Sequence, residues 1–122
     1  MKLRLACAAV LVAAATSSTA IAKTIDKSSS SGDYAIASAS GTVKDPKTIK
    51  VKVTARPNQK VQVSWTMVCS RGLNAGSKSG QYKARTPTTR ALKKPMSNAD
   101  DCIVSANAQL DSGGRVTIAI LG

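Results

Sequence analysis

From Tyr34 onward the chain alternates apolar and polar positions in short runs, separated by Gly, Pro, Asn and Ser. Ile49, Val51 and Val53 alternate with Lys50, Lys52 and Thr54, and Val61, Val63, Trp65, Met67 and Cys69 alternate with Gln62, Ser64 and Thr66. A period of two places each apolar series on one face of a strand. Arg56-Pro57-Asn58-Gln59 lies between the two runs as a turn, so the pair is expected to form a β-hairpin. A second hairpin is expected from Cys102, Val104, Ala106, Ala108 and Leu110, followed by Val116, Ile118 and Ile120. Asp111-Ser112-Gly113-Gly114 joins them, and Gly-Gly accepts the positive φ of a tight turn. Tyr34 to Ser38, Gly80 to Thr86 and Thr88 to Lys93 are shorter strand candidates. No segment of ten or more residues after Ala22 carries a capped apolar stripe of helical period. The pattern predicts an all-β sandwich of about seven strands.

The first twenty-two residues differ in kind. Lys2 and Arg4 precede an apolar run from Leu5 to Ala15, and a small polar segment ends in Ala20-Ile21-Ala22. This is the three-part pattern of a secretory signal with an A-x-A cleavage site, and its apolar run is too short to span a membrane. Cys7 lies near the start of the apolar run and not behind its end, the wrong side for a lipid-attachment cysteine. The chain therefore divides into a signal (1–22), a Ser-rich stretch without hydrophobic period that is expected to be a flexible tether (23–33), and a sandwich domain (34–122). The expected location is outside the cell or in the cell envelope, with no transmembrane segment in the mature chain.

Export changes the meaning of the cysteines. Behind the signal only Cys69 and Cys102 remain, an even count in an oxidising compartment, and a single disulfide is expected. Both fall in the inward series of their strands. Closing this loop restricts the unfolded chain by about 4 kcal/mol on the chain-entropy account. The bridge is expected to be structural, with Trp65 and Met67 packed beside it.

Composition removes most catalytic chemistry. The chain has no His and no Glu, so Ser-His-Asp and Cys-His arrangements are impossible, and no metal or other cofactor is expected. Asp100 and Asp101 are the only adjacent carboxylates, and neighbours on a strand point to opposite faces. Gly72 to Ser79 approaches a phosphate-binding loop, but Ser77 stands where the second Gly belongs and no helix pattern follows. That stretch reads instead as a flexible surface loop displaying Arg71 and Lys78.

Charge supplies the functional expectation. Behind the signal there are sixteen Lys and Arg against six Asp, and from Lys47 to Lys94 twelve basic residues occur without an acid. Such a one-signed field attracts anionic polymers and surfaces over roughly a Debye length, about 8 Å at physiological salt. Specific nucleic-acid recognition is not expected, since Tyr34, Tyr82 and Trp65 are the only aromatics available as stacking platforms. Lys78, Lys83, Arg85, Arg90, Lys93 and Lys94 form the candidate anion-binding set, and Lys50 and Lys52 stand on the outward face of their strand. The expected protein is a non-enzymatic cationic module associating with an anionic envelope polymer or surface. The alternative is a small protein-binding effector, inhibitor or toxin-like, that presents the Arg71 to Gly80 loop to an unknown protein.

Trp65-x3-Cys69, the Ser/Gly-rich loop, Leu92-Lys93-Lys94-Pro95, Asp101-Cys102-Ile103-Val104-Ser105-Ala106 and the final Gly-Arg-Val-Thr-Ile strand resemble a group of small secreted bacterial domains of immunoglobulin-like appearance. The resemblance covers about residues 45 to 121. It implies a β-sandwich and assigns no residue a functional role.

Overall fold

The computed structural model describes residues 23–122; the expected signal (1–22) lies outside the described residues. Eight strands form: β1 (Thr24–Gly32), β2 (Ile36–Lys44), β3 (Ile49–Arg56), β4 (Lys60–Arg71), β5 (Asn74–Arg85), β6 (Thr88–Leu92), β7 (Asp101–Leu110) and β8 (Gly114–Leu121). They make two four-stranded sheets, β1-β8-β3-β6 and β2-β7-β4-β5. Every neighbouring pair is antiparallel. The expected all-β sandwich with one disulfide is what forms. Its strand order is that of a jelly roll, whereas an immunoglobulin domain distributes its strands as ABED and CFG.

This order corrects both expected hairpins. β3 and β4 lie in opposite sheets, and so do β7 and β8. Alternation reports that one face of a strand is buried; it does not say which strand is its neighbour. Both turns instead carry the chain from one layer to the other. Gly114 sits at φ 145°, and a Cβ there would meet the Arg56 carbonyl oxygen, so glycine is what lets these two crossings touch. The hairpin that does form joins β4 to β5 through Gly72 and Leu73, with Gly72 at φ 59° and its N–H donated to Asp100 Oδ2 at 3.2 Å.

Two further expectations are corrected. Residues 24–32 are not a tether: β1 pairs with β8 from Thr24 to Gly32. Backbone hydrogen bonding needs no apolar side chain, and Ser28 and Ser30 are small enough to face inward at a sheet edge. Likewise 74–79 is not a loop but the first half of β5. Neither face of this half is covered by the opposite sheet, so it lacks the apolar alternation that marks a covered strand.

The core lies between the sheets. Ile49, Val51 and Val53 of β3 and Val116, Ile118 and Ile120 of β8 are fully buried, opposed by Val61, Val63 and Met67 of β4 and Val104 of β7. Ala37, Ala39, Ala106 and Ala108 make the β2 and β7 face shallow where the β8 isoleucines approach. Each such aliphatic side chain contributes roughly 1.5–3 kcal/mol on burial. On one side of the sandwich β1 and β2 close the seam: Ile25 packs onto Gly41, and Asp26 Oδ2 accepts the Ser40 N–H at 2.8 Å. Cys69 and Cys102 are directly paired across β4 and β7, so the bridge ties neighbours within one sheet. Trp65 keeps its inward parity but is only half-buried, and its indole covers Gly80 of the edge strand.

Three crossings are fastened by one residue. Gln59 is 8% exposed. Its Nε2 donates to the carbonyls of Pro57 (3.2 Å) and Gly113 (3.1 Å), and its Oε1 accepts the Ser112 N–H at 2.8 Å. Its backbone N–H donates to Thr86 Oγ1 at 3.1 Å, and its carbonyl accepts the Thr86 N–H at 3.0 Å. The β3–β4, β5–β6 and β7–β8 connections therefore meet at a single buried residue, β7–β8 through its side-chain amide and β5–β6 through its backbone.

Two outcomes follow. Replacing both cysteines, Cys69→Ala with Cys102→Ala, is expected to lower the unfolding free energy by about 2–4 kcal/mol in urea while far-UV circular dichroism stays that of a β-sheet protein. Gln59→Leu strands buried donors and acceptors and is expected to cost about 1–3 kcal/mol, read as a lower urea midpoint at unchanged slope.

Candidate functional site

The parity of each strand decides which side chains reach the outer face of the β1-β8-β3-β6 sheet. On β3 the buried series is Ile49, Val51, Val53 and Ala55, so Lys52, Thr54 and Arg56 point outward. On β8 Val116, Ile118 and Ile120 point inward, which turns out Arg115, Thr117 and Ala119. Register then assembles these into rows. Arg56 stands directly opposite Arg115; Thr54 faces Thr117, which in turn faces Ser29 of β1; and Lys52 faces Ala119, which faces Lys27. Two cationic rows are thus separated by a row of hydroxyls, in which Ser29 Oγ and Thr117 Oγ1 share a 2.7 Å hydrogen bond.

These residues line a groove of about 1200 Å3. Its floor is the sheet, kept low by Ala119 between the two lysines, and Pro57, Asn58 and Pro87 border the arginine end. Those border residues belong to the connections that Gln59 pins. No acidic residue lines the groove, and Lys27, Lys52, Arg56 and Arg115 are all exposed. Four cations over a concave face, with hydroxyl donors between them, hold a positive potential without an internal counter-charge.

The cations expected from the sequence do not gather in this way. Lys78 is exposed on the inward parity of β5, opposite Met67. Lys83 and Arg85 lie on the outer face of the other sheet, where Arg85 stands opposite Lys60. The Arg90 guanidinium sits 3.9 Å from the Tyr82 ring centre, closing the open side of the sandwich between edge strands β5 and β6. Burial pushes the Tyr82 phenol above its ordinary pKa, with the Arg90 charge pulling the other way. Lys93 is exposed, whereas Lys94 Nζ donates to the Pro46 carbonyl at 2.8 Å. The set spreads over both sheets and one side. Arg71 ends β4 beside the hairpin tip, next to the fully exposed Leu73.

Sequence reasoning reached Lys52 and missed its companions. Lys27 fell in the supposed tether, and Arg56 and Arg115 fell in or beside supposed hairpin turns. The parity of Arg115, Thr117 and Ala119 against Val116, Ile118 and Ile120 was readable. What was missing was the adjacency of β1, β8 and β3.

A second concave area, about 510 Å3, crosses the outer face of the β2-β7-β4-β5 sheet. Its outward side chains form two neutral rows, Ser38-Asn107-Ser64-Gln81 and Ser40-Ser105-Thr66-Ser79. The centres of the two broad faces are thus chemically distinct: one is cationic with hydroxyls, and the other is neutral and hydroxyl-rich, with Lys60, Lys83 and Arg85 at one end of its sheet.

No family model matches the chain, and no curated protein matches it. Among solved structures, one similar chain is TmCBM61 in complex with beta-1,4-galactotriose, at 10% sequence identity and a TM-score of 0.43. The match covers 82% of the present chain and 66% of that chain, so the protein spans just under two thirds of the neighbour's length.

Proposed function

We propose that the domain is a non-enzymatic binding module of the cell exterior or envelope. Its outer β1-β8-β3-β6 face takes an anionic polymer or surface. The observation that carries this reading is the groove in which Lys27, Lys52, Arg56 and Arg115 converge with no acidic residue among its lining. On this reading anion binding belongs to one face, and to residues other than the segment from Lys78 to Lys94. The groove's hydroxyls, Ser29, Thr54 and Thr117, have no His or carboxylate beside them to act as a base, which fits binding better than catalysis. Export, expected from residues 1–22, would place the groove among envelope polymers.

Retention on heparin resin under a salt gradient tests the assignment. Lys52→Glu with Arg115→Glu is expected to weaken retention at least tenfold and to flatten the dependence of log affinity on log salt by roughly one to two contacts' worth. Lys83→Glu with Arg85→Glu makes the same charge change on the opposite sheet and is expected to do much less. Equal losses in the two pairs would reduce the binding to net charge alone and remove the groove from the account.

A further inference from the structure

The groove's two cationic ends are built differently, and this difference bears on the chemistry of the ligand. At one end two arginines stand directly opposite on hydrogen-bonded strands, Arg56 on β3 and Arg115 on β8. Directly opposite side chains have Cβ atoms only about 4.5–5.5 Å apart, and like charges in that relation repel. The pair therefore carries a standing repulsion that an anion placed between the two guanidinium groups relieves. At the other end Lys27 and Lys52 are separated by Ala119 on the intervening strand, about 10 Å apart at two strand spacings. Four residues of strand separate the two ends, about 13 Å. The hydroxyl row of Ser29, Thr117 and Thr54 crosses the space between them.

The kind of anion follows from the arginine end. A guanidinium is a planar fork, and a carboxylate presents its lone-pair sites, about four, in one plane, so one bidentate fork takes two of them and a second fork has to enter through that same plane. Two forks approaching from neighbouring strands need acceptor oxygens outside one plane. A phosphate or sulfate group, with its oxygens disposed tetrahedrally, offers them. The lysine end supplies separated point charges, which attract a second anionic group without fixing its geometry.

Resting on the reading of this groove as a polyanion site, we propose that its ligand is a chain of tetrahedral oxyanions, phosphate or sulfate, lying along the strands. One anionic group is clamped between Arg56 and Arg115, and another about 13 Å further along is held by Lys27 and Lys52. Polycarboxylates carry comparable charge but fit the arginine end poorly. The selectivity resides in guanidinium geometry, while the long-range attraction belongs to all four cations.

The test uses the domain without its signal and three polymers of matched length: polyphosphate, dextran sulfate and polygalacturonate. Calorimetric titration at fixed salt is expected to show at least one of the two tetrahedral polymers binding about tenfold tighter than polygalacturonate, the scale of one good bidentate contact. Whichever of the two leads names the source. Arg56→Lys with Arg115→Lys keeps the charge and is expected to bring the three polymers to near parity while binding persists. Both positions are exposed, so the fold is preserved. Equal affinity of the wild type for all three polymers, or a preference that survives the arginine-to-lysine change, overturns this proposal and leaves the polyanion reading standing. Failure of the wild type to bind any of the three overturns both.

Discussion

Every second side chain of these strands must be taken out of water, and that requirement organises the molecule. A single sheet covers nothing by itself, so the inward series of β3 and β8 needs the inward series of β4 and β7 opposite. The chain satisfies this by sending nearly every successive strand to the other layer. Once parity and layer are fixed, the outward series is fixed as well. The groove is the necessary reverse side of the core: Lys52, Thr54 and Arg56 face out because Val51, Val53 and Ala55 face in, and Arg115, Thr117 and Ala119 face out because Val116, Ile118 and Ile120 face in.

The crossings do more than connect. Because consecutive strands change layer, three connections arrive at one end of the sandwich, and their backbone polar groups need partners there. Gln59 supplies them from a buried position, bonding to Pro57, Thr86, Ser112 and Gly113. The same connections border the arginine end of the groove. Stability and groove geometry are thereby coupled at a residue that does not itself line the groove. The disulfide acts elsewhere, joining neighbours β4 and β7 of the opposite sheet, and leaves the cationic face to be held by packing and backbone pairing.

The periodicity of two was legible wherever a strand is covered on one face, and it placed β3, β4, β7 and β8 with correct inward residues, both bridge cysteines among them. It failed at β1 and the first half of β5, which are edge strands rich in Ser and Gly and held mainly by backbone hydrogen bonds. It also failed on pairing. Arg56-Pro57-Asn58-Gln59 and Asp111-Ser112-Gly113-Gly114 have the composition of hairpin turns, yet composition cannot distinguish a reversal within a sheet from a step between sheets. The candidate site was hidden for the same reason. Its cations come from β1, β3 and β8, far apart in the chain, and only the strand order brings Lys27, Lys52, Arg56 and Arg115 to one face. Charge density along the sequence pointed instead to Lys78 through Lys94, a run that the strands scatter.

The central claim is that one face of the sandwich, rather than its net charge, meets the anionic partner. Backbone amide chemical shifts of the isotopically labelled domain, followed by NMR while polyphosphate is added, test it most directly. The account predicts shifts concentrated on Lys27, Ser29, Lys52, Thr54, Arg56, Arg115 and Thr117, with the β2-β7-β4-β5 face unmoved. Shifts centred on Lys78 to Lys94, or spread evenly over all the basic residues, would contradict it.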